Sequence, residues 1–251
     1  MSSSSASRKA KIEAARPKGG GGANRIVVAT VVVVVIIVAV VTAVILGSHG
    51  KNTASSSGGG SLPKGAPAMG AGIVVNPSAP SSVPTMDLYE DFQCPVCGAF
   101  EKQFGQQVTA MANQNQMKLV VHMLSFLDDN LNNDSSNRAA NAAACAADAD
   151  RFLPYHSAVF AGQPATEGEG YTDAQLKEFA TTAGISGSAL TTWQKCYDSR
   201  EHNQYVESVQ TQSEKDGVNG TPTIKINGKT LDLGTLTSPN ALLDAVKAAG
   251  Q

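Results

Sequence analysis

Residues 84–100 read PTMDLYEDFQCPVCGAF, and this stretch constrains the fold more than any other. Pro84 to Phe92 mix β-forming side chains with alternating polarity, and the chain then meets Cys94, Pro95, Val96 and Cys97. Proline suits the first position of a helix, where its missing N–H is no loss. Cys97, Phe100 and Phe104 then recur at helical spacing. The stretch predicts a strand, a short loop and a helix that begins at the first cysteine. A helix N-terminus offers unpaired N–H groups and the positive end of a dipole, and both stabilise a thiolate. Only the thiolate attacks another sulfur, so Cys94 is placed as a nucleophile. Cys97, one turn on and the more buried of the two, is placed to resolve a mixed disulfide.

Two other readings of the pair compete. A structural zinc site needs a second ligand pair at close spacing. Cys145 and Cys196 stand alone, and His49, His122, His156 and His202 are scattered, so no metal is expected. Two inert buried cysteines would suit a reducing compartment, where a close pair does not oxidise. The compartment is therefore the next question.

Residues 26–46, IVVATVVVVVIIVAVVTAVIL, carry no charge. At about 1.5 Å per residue such a helix spans the roughly 30 Å core of a bilayer. A cleaved signal peptide would have a shorter apolar region and a small-residue cleavage site, which GSHG at 47–50 does not supply. Arg8, Lys9, Lys11, Arg16, Lys18 and Arg25 precede the run, whereas Lys51 and Lys64 follow it. That asymmetry predicts a cytoplasmic tail over 1–25, a single transmembrane helix over 26–46 and an extracytoplasmic C-terminal region. The Gly/Ser/Pro-rich stretch 47–82 reads as a flexible linker, with Ile73 to Val75 as a candidate edge strand. All four cysteines then lie where disulfides persist. The net charge of -2 and the lack of a basic aromatic patch argue against nucleic acid as a partner.

From residue 83 the pattern is that of one α/β domain. Met117 to Phe126 is nearly all apolar and predicts an interior strand. Helical patterns fill about 128–216, with capping residues at Asp134, Ser135 and Thr172 or Asp173. TPTIKIN, an Asn227-Gly228 turn and KTLDL predict a hairpin, and SPNALLDAVKAAG a closing helix. Strands that flank a block of helices imply an α/β core with a helical insertion. Thr221-Pro222 stands at the entry of a strand, where proline cannot join the ladder.

DFQCPVCGAF, GTPTIKING and the helical block between them resemble the thioredoxin superfamily, and more closely its DsbA-like branch. With the apolar run in front, the chain resembles the membrane-tethered members of actinobacteria. The resemblance implies a thioredoxin-like core over 83–251 with a helical insertion, Cys94 as nucleophile and Cys97 as resolving thiol. It implies that Thr221 precedes a cis-Pro222 that helps to bind substrate backbone. It implies exported cysteine-containing proteins as substrates, a quinone-linked membrane partner of the DsbB or VKOR type, and no cofactor. Relatives often carry a buried carboxylate six residues before the first cysteine that serves in proton transfer, and here that residue is Leu88, which leaves the proton acceptor for Cys97 unassigned. Asp87, Glu90 and Asp91 are nearby, and strand alternation alone does not aim any of them at Cys97. Val96 replaces the histidine of strongly oxidising members, which predicts a milder thiolate and leaves the direction of electron flow open.

In an oxidising compartment Cys145 and Cys196 are expected to form a structural disulfide, closing a loop of about fifty residues and contributing about 2–4 kcal/mol. A second redox pair would need a lowered pKa that nothing near them suggests. Asp128, Asn130 and Asn132 sit at calcium-loop spacing, but Asn133 replaces the glycine and Ala139 the bidentate glutamate. The main expectation is an extracytoplasmic oxidoreductase that forms disulfides. The alternatives are a reductase or isomerase of the same fold, or a binding or copper-handling module drawing on Met86 and His122.

Overall fold

A computed structural model describes residues 60–250. The tail 1–25, the apolar run 26–46 and the first part of the linker lie outside the described residues. Among the described residues no helix is long and apolar enough to cross a membrane. The strands are β1 (Ile73–Val74), β2 (Thr85–Asp91), β3 (Lys118–Leu124), β4 (Thr223–Ile226) and β5 (Lys229–Thr230). They form one sheet in the order β1-β3-β2-β4-β5. β2 runs parallel to β3, with Tyr89 opposite His122 and Asp91 opposite Leu124. It runs antiparallel to β4, with Leu88 opposite Ile224. The hairpin turn has positive φ at both Asn227 and Gly228, as an Asn-Gly turn requires.

Between β2 and β3 lie α1 (Pro95–Phe100), a π-helical turn (Glu101–Gly105) and α2 (Gln106–Asn113). The inserted block holds α3 (Phe126–Leu131), α4 (Ser135–Asp148), α5 (Phe152–Ala161), α6 (Asp173–Thr182), α7 (Gly187–Asp198) and α8 (Asn203–Lys215). A 3-10 turn (Leu233–Thr235) leads to α9 (Ala241–Ala249). The alanine-rich α4 is buried on nearly all sides and packs against α5, α7 and α8. A helix apolar all round belongs inside, and small side chains let its neighbours come close. Trp193 of α7 donates its indole N–H to the Ala142 carbonyl at 3.0 Å. Cys145 and Cys196 join α4 to α7 as a disulfide.

Two expectations need correction. Asp134 occupies the cap position of α4, but its side chain makes no capping bond. The Asp128 carboxylate caps instead, accepting from the N–H groups of Ser136 and Asn137 at 2.8 Å each. Asp134 is drawn off by Arg138 and Arg200, an ion pairing that outweighs a single backbone contact. The second correction concerns the linker, because residues 60–82 are packed on the domain. Ser61 accepts from His202, Gly70 donates to Ser208 and Ala71 accepts from Tyr205, at 3.0, 2.8 and 2.7 Å. β1 then pairs with β3. These contacts use main-chain atoms, so Gly/Ser/Pro composition carries no trace of them. At Gly72 a Cβ would strike Val120, the Val121 carbonyl and His122, so only glycine allows the approach.

Candidate active site

The site forms where β2 ends and α1 begins. Cys94 sits at the N-cap of α1 with φ -74° and ψ 117°, and Pro95 follows at the first helical position. Its N–H donates to the Asp91 carbonyl at 2.9 Å. Both cysteines carry free thiols; Cys94 is 7% exposed and Cys97 fully buried. Val96 is 58% exposed, an apolar side chain standing beside the nucleophile. From the entry of the neighbouring β4 the Thr221–Pro222 peptide, which is cis, reaches the same point. The Cys94 thiol donates to the Thr221 carbonyl at 3.4 Å.

The two sulfurs titrate in opposite directions. A hydrogen bond from the Cys97 thiol, with further bonds from Thr221 and the N–H groups of Cys97 and Val96, outweighs burial and brings Cys94 down to about 6. The Thr221 hydroxyl is buried without a partner while Cys94 is a thiol, and is free to donate once the thiolate forms. Burial, the Cys94 bond and the charge of Glu90 push Cys97 far up. One thiol is therefore ready to attack, and the other ionises only when its surroundings take the proton.

The loop before Cys94 is clamped on both sides. The Gln163 amide donates to the carbonyls of Phe92 and Cys94 at 2.7 and 3.0 Å, and the Tyr171 hydroxyl donates to Phe92 at 2.7 Å. The Gln93 amide lies 2.9 Å from each of Asp128, Asn133 and Ser136. Asp91, pushed up to about 7 mainly by burial, accepts from the Gln93 and Leu127 N–H groups and from the Ser136 hydroxyl. The inserted helices thus hold the nucleophile's loop.

Sequence reasoning left the carboxylate near Cys97 unassigned. In the structure Glu90 is fully buried and held well above the carboxylate range by burial and then by the Cys94 charge. Its Oε2 meets His156 Nε2 at 2.9 Å, and His156 Nδ1 lies 3.9 Å from Glu101. A signal for Glu90 exists: Met86, Leu88 and Glu90 share one face of β2 by the period of two, and the first two are core residues. His156 and Glu101 carry no such mark. Although the three ligand-type side chains lie within 4.8 Å of one another, each ring nitrogen faces a different carboxylate, which suits proton sharing rather than convergence on one ion. Met86 is buried in the core, and His122 is occupied by Asp87 at 3.1 Å and stacked on Tyr89. Among the described residues the other ligand-type cluster, Cys145, Cys196 and His202, has its sulfurs closed in the disulfide.

A dithiol at a strand-to-helix junction, with one activated and one buried sulfur facing a strand-entry proline, defines a thioredoxin-fold thiol–disulfide exchange site. A family model described as thioredoxin matches residues 75–247. The crystal structure of reduced DsbA from Mycobacterium tuberculosis is 32% identical, with a TM-score of 0.55 over 66% of this chain and 82% of that one. The reduced disulfide bond oxidoreductase DsbG of the same organism is 30% identical, with a TM-score of 0.54 over 66% of this chain and 77% of that one. A segment of the M. tuberculosis serine/threonine-protein kinase PknE is 30% identical over 113 residues, which is 42% of this chain. The match spans only 20% of that kinase's length. The chain belongs to the thioredoxin family, as a thiol–disulfide oxidoreductase of the DsbA-like kind.

Proposed function

We propose that this protein installs disulfides in exported cysteine-containing proteins, working outside the cytoplasm through Cys94 and Cys97 while residues 26–46 anchor it in the bilayer. The asymmetry of the pair carries the reading: Cys94 is brought down to about 6, and Cys97 is buried and pushed up. A substrate thiolate attacks Cys94 Sγ of the oxidised pair, and Cys97 leaves as a thiolate and takes a proton. A second substrate thiolate then attacks its own mixed-disulfide sulfur, releasing the Cys94 thiolate and a substrate disulfide. Thr221 and Pro222 hold the substrate backbone; the Thr221 carbonyl, 3.4 Å from Cys94 Sγ, supports that role. Reoxidation falls to a quinone-linked membrane partner of the DsbB or VKOR type. The basic residues before the apolar run support the location.

A reductase or isomerase of the same chemistry is the second reading, and one observation favours it. A Cys94 pKa of about 6 lies between the roughly 7 of thioredoxin and the roughly 3.5 of DsbA. The deciding experiment equilibrates residues 58–251 with glutathione and reads the potential of the Cys94–Cys97 pair. A value nearer about -120 mV is expected of a disulfide donor, and one near about -180 mV would favour the isomerase. A value near -270 mV, that of thioredoxin, reverses the direction of electron flow.

A further inference from the structure

The Cys145–Cys196 disulfide joins α4 to α7 and forms part of the wall of a cavity. We propose that this disulfide is a second thiol–disulfide exchange site, opened by a small aminothiol that enters the cavity and attacks Cys196. The inference goes beyond the function proposed above and involves neither Cys94 nor Cys97.

Four observations support it. First, the disulfide can be reached. Cys145 and Cys196 line a cavity of about 310 Å³ together with Asp148, Ser188, Trp193 and Glu201. Cys196 keeps 6% of its surface and Cys145 1%, so an entering thiol meets Cys196, and Cys145 leaves. Second, a cation stands beside the sulfurs. The spacing of the two cysteines carries no sign of a lowered pKa, and the fold supplies one by bringing a ring nitrogen of His202 within 4.8 Å of both. Its Nδ1 lies 3.0 Å from the Ser61 carbonyl and its Nε2 2.7 Å from the Asp148 carboxylate. Both partners are acceptors, so the ring serves them with two N–H groups and is an imidazolium. Burial favours the neutral ring, but the hydrogen bonds to Asp148 and Ser61 and the charges of Asp148 and Glu201 outweigh it and raise the His202 pKa above its ordinary value. A positive charge next to a thiol favours its thiolate. Third, Asn141 is fully buried, and its Nδ2 has no hydrogen-bond partner while its Oδ1 accepts from the His202 N–H. Asn141 lies one turn before Cys145 on the same face of α4, so the idle amide is placed to donate to a Cys145 thiolate. An orphaned buried donor costs stability, and a role in the reduced state accounts for keeping it. Fourth, His202 balances the charge of Asp148, and Glu201 leaves the cavity wall net negative, which suits the ammonium of an aminothiol.

The exchange moves two electrons from two thiols to one disulfide. The aminothiol thiolate attacks Cys196 Sγ. A bond to Cys196 forms, the Cys145–Cys196 bond breaks, and Cys145 leaves as a thiolate beside His202 and Asn141. A second aminothiol thiolate attacks the sulfur of the first, releasing Cys196 and the disulfide of the aminothiol. Of the two protons given up by the thiols, one ends on Cys196 and the other passes to solvent while Cys145 is held as the thiolate. Reduction thus unpins α7 from α4, and an excess of the aminothiol disulfide drives the same steps in reverse.

The test adds cysteamine to the full wild-type chain and maps alkylated peptides by mass spectrometry, which reads Cys145 and Cys196 apart from Cys94 and Cys97. Cysteamine should appear on Cys196 and a free thiol at Cys145. The rate should stay constant at low urea, where the protein is folded. A rate that climbs in step with the unfolding equilibrium shows that exchange needs global unfolding, and overturns the site. His202→Gln should slow the folded-state reaction by about tenfold, because the leaving thiol loses its cation, and an unchanged rate overturns the role of His202. The anionic thiol mercaptopropionate should lag cysteamine by about fivefold, each rate being taken relative to that thiol's rate with a neutral small disulfide. Equal relative rates overturn the assignment to an aminothiol. Should His202→Gln not fold, the pH dependence of alkylation in the reduced wild-type protein decides. Cys145 should ionise below the roughly 8.5 of a free thiol, and a value at or above that overturns the proposal.

Discussion

Cys94 and Cys97 are the same residue made into different reagents by a few ångströms of placement. Cys94, at the helix start, gathers hydrogen bonds that favour its thiolate, whereas Cys97 is enclosed and faces Glu90. Absorbance of the reduced protein at 240 nm should therefore titrate with a midpoint near 6, and Cys94→Ser should abolish that transition. Linkage sets the sign of the stability effect. The unfolded thiol keeps its proton up to about 9, while the folded one releases it near 6. Between those values this thiol binds more protons in the unfolded state, so its own contribution grows as pH rises from about 6 to 9 and is lost as pH falls through 6, while Asp91 and Glu101, raised to about 7 and 8, act in the opposite sense. Equilibrium urea unfolding of the reduced wild type and of Cys94→Ser at pH 5 and 8 separates the thiolate from those carboxylates; the same pH dependence in both proteins would remove the thiolate from the account. Cys94 and Cys97 are legible in the sequence because a cap, a proline and a two-residue spacer are local signals. Glu101 is not, because its inward turn depends on a π-helical step and on space at Gly105.

At the scale of elements, the inserted helices do more than enlarge the domain. Gln163, from the loop after α5, and Tyr171, just before α6, hold the carbonyls of Phe92 and Cys94, and α4 supplies Ser136 to Asp91 and Gln93. The Cys145–Cys196 disulfide pins α4 to α7 on the far side of this block. Replacing both by serine should cost about 2–4 kcal/mol in urea unfolding, through the freed loop in the unfolded chain. The 240 nm midpoint of Cys94 should stay in place, because neither cysteine touches the nucleophile's loop. A shift of that midpoint would show that the disulfide tunes the site. The helices themselves were readable from alanine content, caps and glycine stops. The cap of α4 was not, since Asp128 reaches the helix from another element.

On the scale of the whole molecule, residues 60–75 close the sheet edge that β3 would otherwise leave open. His202, fully buried, donates to the Ser61 carbonyl and meets Asp148 at 2.7 Å, and Asp148 also accepts from the Lys64 N–H. A chain starting at Asn76 should thus be less stable than one starting at Gly58 by at least about 2 kcal/mol, because buried donors on His202 and Tyr205 lose their acceptors. It should also self-associate through the bared β3 edge. Comparing the two chains by urea unfolding and light scattering checks both points, and equal stability would reduce the segment to a passive linker.

The sequence by itself determined the strand-to-helix junction at Cys94, the hairpin at Asn227-Gly228 and the helical block between them. Each rests on signals confined to a few neighbouring residues: a cap, a turn dipeptide, a period of two or of 3.6. The tertiary structure alone decided that Glu90, His156 and Glu101 meet, with 66 residues separating the first two. It alone decided that a glycine- and serine-rich segment packs as part of the domain. The reason is common to both. Which faces become interior, and which main-chain atoms meet across the fold, depends on how whole elements pack, and no local pattern encodes a partner that arrives from elsewhere in the chain.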